Sequence, residues 1–298
     1  MDERARSVVV AVNPNSGATD SAAIIKQLLA RLADSGFEAE PISDIEEVRR
    51  RSAELRAANQ LRAVVAAGGD GTVSLLANTL ERGTPIAVLP LGTENLMAKF
   101  LQVSQSVEQV TDIIVGGRTV DLDAGRANGQ LFLVVASCGF DAEVVTRLHA
   151  TRKGHIRHWS YALPMLGAIR RYRYPKIRLS IDDRPEKLTT RWAFVFNVPR
   201  YAMNLPIATD ADATDGLLDL CTFGVRSLAE GIGALGAVLM RRHRYLSETE
   251  ALRFKKLRLE SDQSVPYQLD GDPGGVLPLE ITVDPKCLTL LVAESWPT

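Results

Sequence analysis

Four short strand-like runs divide the first 90 residues: Val8–Val12, Phe37–Ile42, Ala63–Ala67 and Pro85–Leu89. Between them lie segments with apolar residues three and four positions apart. Ile24, Ile25, Leu28, Leu29 and Leu32 form the clearest, closed by Gly36. Ile45–Ala58 is a second, rich in Arg and Glu, and Val73–Leu80 is a third, with Gly83 beyond its end. Strands that alternate with helices imply a mostly parallel sheet with helices on both faces.

The texture changes after about residue 125. Leu131–Ala136, Lys176–Ile181, Arg191–Val198, Leu217–Phe223, Phe254–Glu260, Val265–Leu269, Pro278–Val283 and Cys287–Val292 read as strands. Turn-rich links join them, among them Thr214-Asp215-Gly216 and the run from Asp270 to Gly275. Helical stretches interrupt near 140–172 and 226–243. The expected organisation is an α/β domain over 1–125 and a largely antiparallel β domain over 126–286. The last strand, near 287–298, could return to the first domain. At 298 residues the chain has room for two domains.

In an open α/β sheet, ligands bind outside the carboxyl ends of the strands. Three polar, glycine-bearing loops fall at that edge: Asn13-Pro14-Asn15-Ser16-Gly17, Gly68-Gly69-Asp70-Gly71-Thr72, and Pro90-Leu91-Gly92-Thr93-Glu94-Asn95. Glycines let the backbone approach a phosphate closely. A helix that starts at Val73 would point its free N–H groups at that phosphate. Asp70 beside a phosphate calls for a cation between them, which suggests Mg²⁺. Each loop alone also reads as an ordinary turn with a helix cap. No Gly-Lys-Ser/Thr and no Gly-x-Gly-x-x-Gly accompanies them, so Walker A and dinucleotide readings are demoted.

These loops resemble the diacylglycerol kinase catalytic-domain family, which includes bacterial lipid kinases and sphingosine and ceramide kinases. The resemblance continues in Gly139-Phe140-Asp141-Ala142-Glu143-Val144, Pro206-x-Ala208, Asp215-Gly216-Leu217-Leu218-Asp219 and Asp270-Gly271-Asp272. It implies an ATP-dependent kinase acting on a lipid hydroxyl. It also implies a nucleotide-binding domain related to phosphofructokinase and NAD kinase, a C-terminal β-sandwich, and an active site in the cleft between them. Carried over residue by residue, Asn13, Pro14, Asn15, Ser16, Gly17, Ser43, Gly68, Gly69, Asp70, Gly71, Thr72, Thr93 and Asn95 match nucleotide-binding positions. Asp270-Gly271-Asp272 matches the Asp-Gly-Glu motif that carries the proton acceptor, with the choice between its two carboxylates open. A structural Mg²⁺ falls on Asp212, Asp215 and the carbonyl of Leu217. Three acidic positions depart from the family pattern. Leu75 and Leu96 stand where the family has carboxylates, and Asp272 replaces Glu. A catalytically weak or inactive nucleotide- or lipid-binding homologue is therefore a competing reading, as is NAD kinase.

The 35 Lys and Arg against 36 Asp and Glu leave a net charge of −1, with no global basic excess. The charge is unevenly spread: residues 144–181 hold nine Lys and Arg and no acid. They also carry His149, His155, His158, Trp159, Tyr161, Tyr172 and Tyr174. Basic residues among Trp and Tyr suit an anionic membrane surface, though a solvated basic helix would look the same. The expected partner is a lipid at such a surface, with no nucleic acid; a homodimer is open. Three separate cysteines, Cys138, Cys221 and Cys287, argue against a disulfide framework. The expected location is the cytoplasm, with peripheral membrane association. No apolar run reaches the roughly 18 residues of a transmembrane helix, and the start lacks a signal peptide's basic region and long apolar core.

Overall fold

The computed structural model describes residues 5–13, 21–151, 172–199, 205, 207–243, 246 and 248–297. Pro14, Asn15, Ser16 and Gly17 lie outside the described residues, as do residues 152–171 of the basic segment. Two compact units emerge: unit 1 comprises 1–123 and 285–298, and unit 2 comprises 124–284.

Unit 1 runs β1 (Ser7–Val12), α1 (Ser21–Asp34), β2 (Glu38–Ile42), α2 (Ile45–Ala57), β3 (Leu61–Gly68), α3 (Asp70–Thr79), β4 (Ile86–Pro90), α4 (Leu96–Phe100) and α5 (Val107–Gly116). The next strand, β5 (Thr119–Ala127), carries the chain into unit 2. The strand order β2-β1-β3-β4 is parallel throughout, as the alternation requires. All eight residues of β3 are buried, which explains an uninterrupted apolar run with no polar alternation. Helix α1 packs with α5, and α2 with α3. Each amphipathic helix turns a stripe inward: Ile25, Leu28 and Leu32 on α1, Val48 and Leu55 on α2. Asp44 caps α2 by accepting from the Glu47 N–H at 2.8 Å, an arrangement worth about 1 kcal/mol.

Unit 2 contains β6 (Gln130–Phe132), β7 (Val135–Cys138), α6 (Phe140–Thr151), β8 (Ile177–Ile181), β9 (Leu188–Thr190), β10 (Trp192–Phe196), β11 (Leu218–Phe223), α7 (Leu228–Leu239), β12 (Ala251–Phe254), β13 (Lys256–Glu260), β14 (Pro266–Leu269), β15 (Asp272–Val276) and the start of β16 (Leu279–Leu291). One sheet has the order β12-β11-β10-β7-β14-β15. Opposite it, β13 pairs antiparallel with both β8 and β16. Their inward residues share one core. Leu179, Ile181, Leu257, Leu259 and Ile281 come from one layer, and Val195, Leu220, Tyr267 and Leu269 from the other. The C-terminal part of β16 closes unit 1, with Leu290 opposite Ile86 on β4.

Local boundaries differ from the sequence reading at several places. The expected strands 278–283 and 287–292 are one continuous strand, β16. The expected strand 131–136 breaks into β6 and β7, because the N–H groups of residues 133–135 turn to Asp270. Helix α3 begins at Asp70, three residues early.

Candidate active site

In unit 1, β3 ends at Gly68, Gly69 is extended, and α3 starts at once. Among the described residues, no side chain caps α3. The Asp70 carboxylate instead reaches a different helix. One oxygen accepts the Leu96 N–H and the other the Met97 N–H, both at 2.9 Å. A residue in the first turn of α3 thus caps α4, 26 positions later. Asn95 shapes the same loop from within. Its Oδ1 accepts the Gly92 N–H at 3.0 Å, and its Nδ2 donates to the Gly92 carbonyl at 2.8 Å.

Glycine is needed here for close approach. A Cβ on Gly92 would stand 2.5 Å from the Gly69 Cα, a backbone-on-backbone clash with nothing flexible to yield. Thr72 fills the space over Gly68, and its Oγ1 accepts from Asn13 Nδ2 at 3.3 Å. The Leu91 N–H donates to the Gly68 carbonyl at 2.9 Å. Asn13, Gly68, Gly69, Asp70, Thr72, Gly92 and Asn95 are therefore brought together. Gly71 and Thr93 are exposed at the same edge. The first N–H groups of α3 and the bare glycine backbone make a seat suited to phosphate.

Ser43 follows β2 at the carboxyl edge of the sheet, where Ile42 pairs with Ala11 on β1, and is exposed. It lines a depression of about 470 Å³ with Glu40, Glu47, Arg50, Arg51 and Glu54. Those charges pair among themselves, Arg51 with Glu40 and Arg50 with Glu54. Leu75 is 48% exposed on α3.

Residues that could hold Mg²⁺ must offer carboxylate oxygens. Each Asp70 oxygen accepts one N–H and keeps a second lone pair. Asp70 therefore fits as one carboxylate that would hold a Mg²⁺. Among the described residues, no group of three His, Cys, Asp or Glu is placed to hold a metal by itself.

In unit 2, Asp270 and Gly271 form the two-residue turn between β14 and β15, with φ of 50° and 90°. Positive φ at both positions is the type I′ hairpin that Asp-Gly favours. The Asp270 carboxylate accepts three backbone N–H groups: Leu133 at 2.7 Å, Val134 at 2.8 Å and Val135 at 3.0 Å. It is the clamp that holds the break between β6 and β7. Asp272 opens β15 with its side chain 60% exposed, and His149 Nδ1 on α6 is 3.9 Å from its carboxylate.

Sequence reasoning missed the support beneath this turn. Gln268 is 1% exposed. Its Oε1 accepts the Gly271 N–H at 2.7 Å, and its Nε2 donates to Ser137 Oγ at 3.0 Å and Asp141 Oδ2 at 3.4 Å. Ser137 in turn donates to Asp141 at 2.5 Å. The signal available was a polar residue inside the apolar run Val265–Leu269, two positions before Asp270. Nearby, burial pushes the Cys138 thiol up to about 12, so it serves as core.

The expected structural metal site lies in the loop before β11. Asp212 Oδ1 accepts the Thr214 N–H at 3.0 Å and its hydroxyl at 2.7 Å. Asp215 Oδ1 accepts the Leu217 N–H at 2.9 Å. Arg253 lies 3.4 Å from both Asp215 and Asp219. A guanidinium thus already supplies positive charge to this acidic loop. Burial holds the Asp219 carboxyl above its ordinary range, and Arg253 partly offsets that.

Known proteins resemble this chain along nearly its whole length. The diacylglycerol kinase catalytic domain matches residues 7–127, and the YegS C-terminal NAD kinase beta sandwich-like domain matches 134–292. A diacylglycerol kinase of Mycobacterium tuberculosis is 31% identical, covering 95% of this chain and 94% of its own. One of Bacillus subtilis is 24% identical, covering 90% of each. A crystal structure of a diacylglycerol kinase from Bacillus anthracis superposes with a TM-score of 0.71 at 17% identity, covering 100% of both chains. An NAD kinase from Archaeoglobus fulgidus in complex with ATP gives 0.53 at 13% identity, covering 97% and 93%. These two likenesses speak for the fold. Matched over both units and along nearly its whole length, the chain belongs to the diacylglycerol kinase family.

Proposed function

We propose that the protein is an ATP-dependent lipid kinase, transferring the γ-phosphoryl group to a lipid hydroxyl such as that of diacylglycerol. The observation that carries this reading is the locked pair of glycine loops in unit 1, Gly68–Thr72 and Pro90–Asn95, joined by the Leu91 N–H to the Gly68 carbonyl and by the Asp70 carboxylate to the start of α4. Phosphoryl transfer depends mostly on positioning and charge neutralisation. Backbone N–H groups at the start of α3 would bind phosphate oxygens, and the glycines would let them come close. Asp70 would hold Mg²⁺, which supplies charge neutralisation at the phosphates. Its two N–H bonds to α4 keep its carboxylate oriented for that.

On the acceptor side, Asp272 is the proton acceptor of this reading. Asp270 is committed to three backbone donors and serves as the clamp, whereas Asp272 is exposed. The lipid oxygen would form its bond to the γ-phosphorus as its proton passes to Asp272. The bond from that phosphorus to the β–γ bridging oxygen breaks, and ADP leaves. We place the lipid at an anionic membrane surface, met by a protein at the cytoplasmic side.

Leu75 and Leu96 favour a second reading, a homologue that binds nucleotide without transfer. One experiment separates the two. The purified chain is incubated with γ-labelled Mg-ATP, a micellar lipid panel and NAD. Label in a lipid, lost in Asp70→Asn, is the expected result. ATP binding without label anywhere would favour the second reading, and label in NAD would point to the neighbouring kinase.

A further inference from the structure

Helix α7 departs from the usual pattern of one apolar and one polar face. Its sequence is LAEGIGALGAVL. Ala234, Ala237 and Val238 are buried, yet Ile232 is 64%, Leu239 63% and Met240 65% exposed. The exposed three fall on one stripe of the helix. Gly233 and Gly236 have open space where a Cβ would stand. A helix that is apolar all round is normally covered on all sides, and contiguous exposed apolar residues mark an interaction surface.

Charge says what covers this one. Glu230 is the helix's single acid, and it is engaged at the N-terminus. Its carboxylate accepts the Arg226 N–H at 2.8 Å, while its own N–H donates to Ser227 Oγ at 3.3 Å. At the other end the chain turns sharply. The Arg242 N–H donates to the Ala237 carbonyl at 2.7 Å, and the Arg241 N–H to that of Val238 at 2.9 Å. Arg241 takes φ 55°, the left-handed position that glycine usually fills at a helix end. Two exposed arginines therefore border the apolar stripe, and residues 231–247 contain no acid. A bilayer with anionic headgroups offers both complements, acyl chains for the stripe and phosphates for the arginines. A symmetric dimer through this stripe would bring no acid from it to those arginines.

We infer that the exposed face of α7 inserts at the headgroup–acyl boundary of an anionic bilayer. The inference deepens the lipid-kinase reading and takes its purpose from it, but the binding itself requires no turnover. The test is flotation of the full chain with phosphatidylcholine–phosphatidylglycerol vesicles and with phosphatidylcholine alone, without nucleotide. The probe variant combines Ile232→Ser, Leu239→Ser and Met240→Ser. The wild type should float with the anionic vesicles, and the triple variant should bind at least about tenfold more weakly. The variant's unfolding midpoint and its transfer to a water-soluble short-chain diacylglycerol should match the wild type. Equal flotation of variant and wild type overturns the proposal, as does failure of the wild type to float. A concentration-dependent dimer lost in the variant, with no vesicle binding, overturns it in favour of contact between copies. Flotation lost in the variant, together with no transfer to any lipid, supports this surface and strikes the kinase reading alone.

Discussion

Asp-Gly occurs at three expected functional positions, and two of them, Asp70-Gly71 in unit 1 and Asp270-Gly271 in unit 2, do different local work. Asp70 opens a helix and accepts two N–H groups from the start of another. Asp270 makes a hairpin turn and accepts three from a broken strand. In both, the carboxylate is a clamp between segments distant in sequence. The difference lies in what remains. Asp70 stands half-buried beside exposed Gly71, with lone pairs left for a cation. Asp270 is engaged by three backbone donors, and in the proposed reading the proton acceptor is the exposed Asp272, two residues on. A motif therefore names a neighbourhood, and the hydrogen bonds separate its structural carboxylate from its exposed one.

Breaking the larger clamp should cost most. Asp270→Ala leaves three N–H groups without their acceptor and should destabilise the fold by about 3–5 kcal/mol. Denaturant unfolding measures this, and a loss under about 1 kcal/mol would remove the clamp from the account. Asp70→Ala frees two donors near solvent and should cost about 1–2 kcal/mol. It should weaken nucleotide binding as well, read by calorimetric titration with Mg-ATP. If affinity is unchanged, Asp70 is structural only and the two clamps are equivalent. Gly92→Ala tests the contact that Asp70 secures. Its Cβ must displace the Gly69 backbone, at a cost of about 1–3 kcal/mol, with weaker nucleotide binding. The smallest effect is expected at Asp219, which belongs to neither clamp. Burial raises its proton affinity in the fold above that in the unfolded chain. Its proton therefore favours the fold, and stability declines as pH rises from the ordinary carboxylate range through its folded value. Asp219→Asn should flatten that slope and change neutral-pH stability by less than about 1 kcal/mol, followed by thermal unfolding across pH.

The parallel sheet of unit 1 was legible because fully buried strands must be apolar throughout, as Ala63–Ala67 is. The Asp270-Gly271 turn was legible from its dipeptide alone, and the structure adds that turn and carboxylate act together. Other features depend on partners far along the chain. Thr119–Ala127 escaped notice as a strand because Asp121, Asp123 and Gly125 interrupt it. Those acids are satisfied by Thr289 Oγ1 at 2.6 Å and the Lys286 N–H at 2.8 Å, more than 160 positions away. The role of Asp70 as cap of α4 was hidden for the same reason. The apolar exposed face of α7 was hidden by composition, since LAEGIGALGAVL reads equally well as a core helix.

The division of labour between the two carboxylates of Asp270-Gly271-Asp272 is the claim most open to direct test. Phosphoryl transfer from labelled Mg-ATP to diacylglycerol would be followed for the wild type and for Asp272→Asn, with the unfolding free energy of each. The account predicts that Asp272→Asn keeps its stability within about 0.5 kcal/mol and loses about 10²–10⁴-fold in transfer. A stable Asp272→Asn protein that transfers phosphate at the wild-type rate would contradict it.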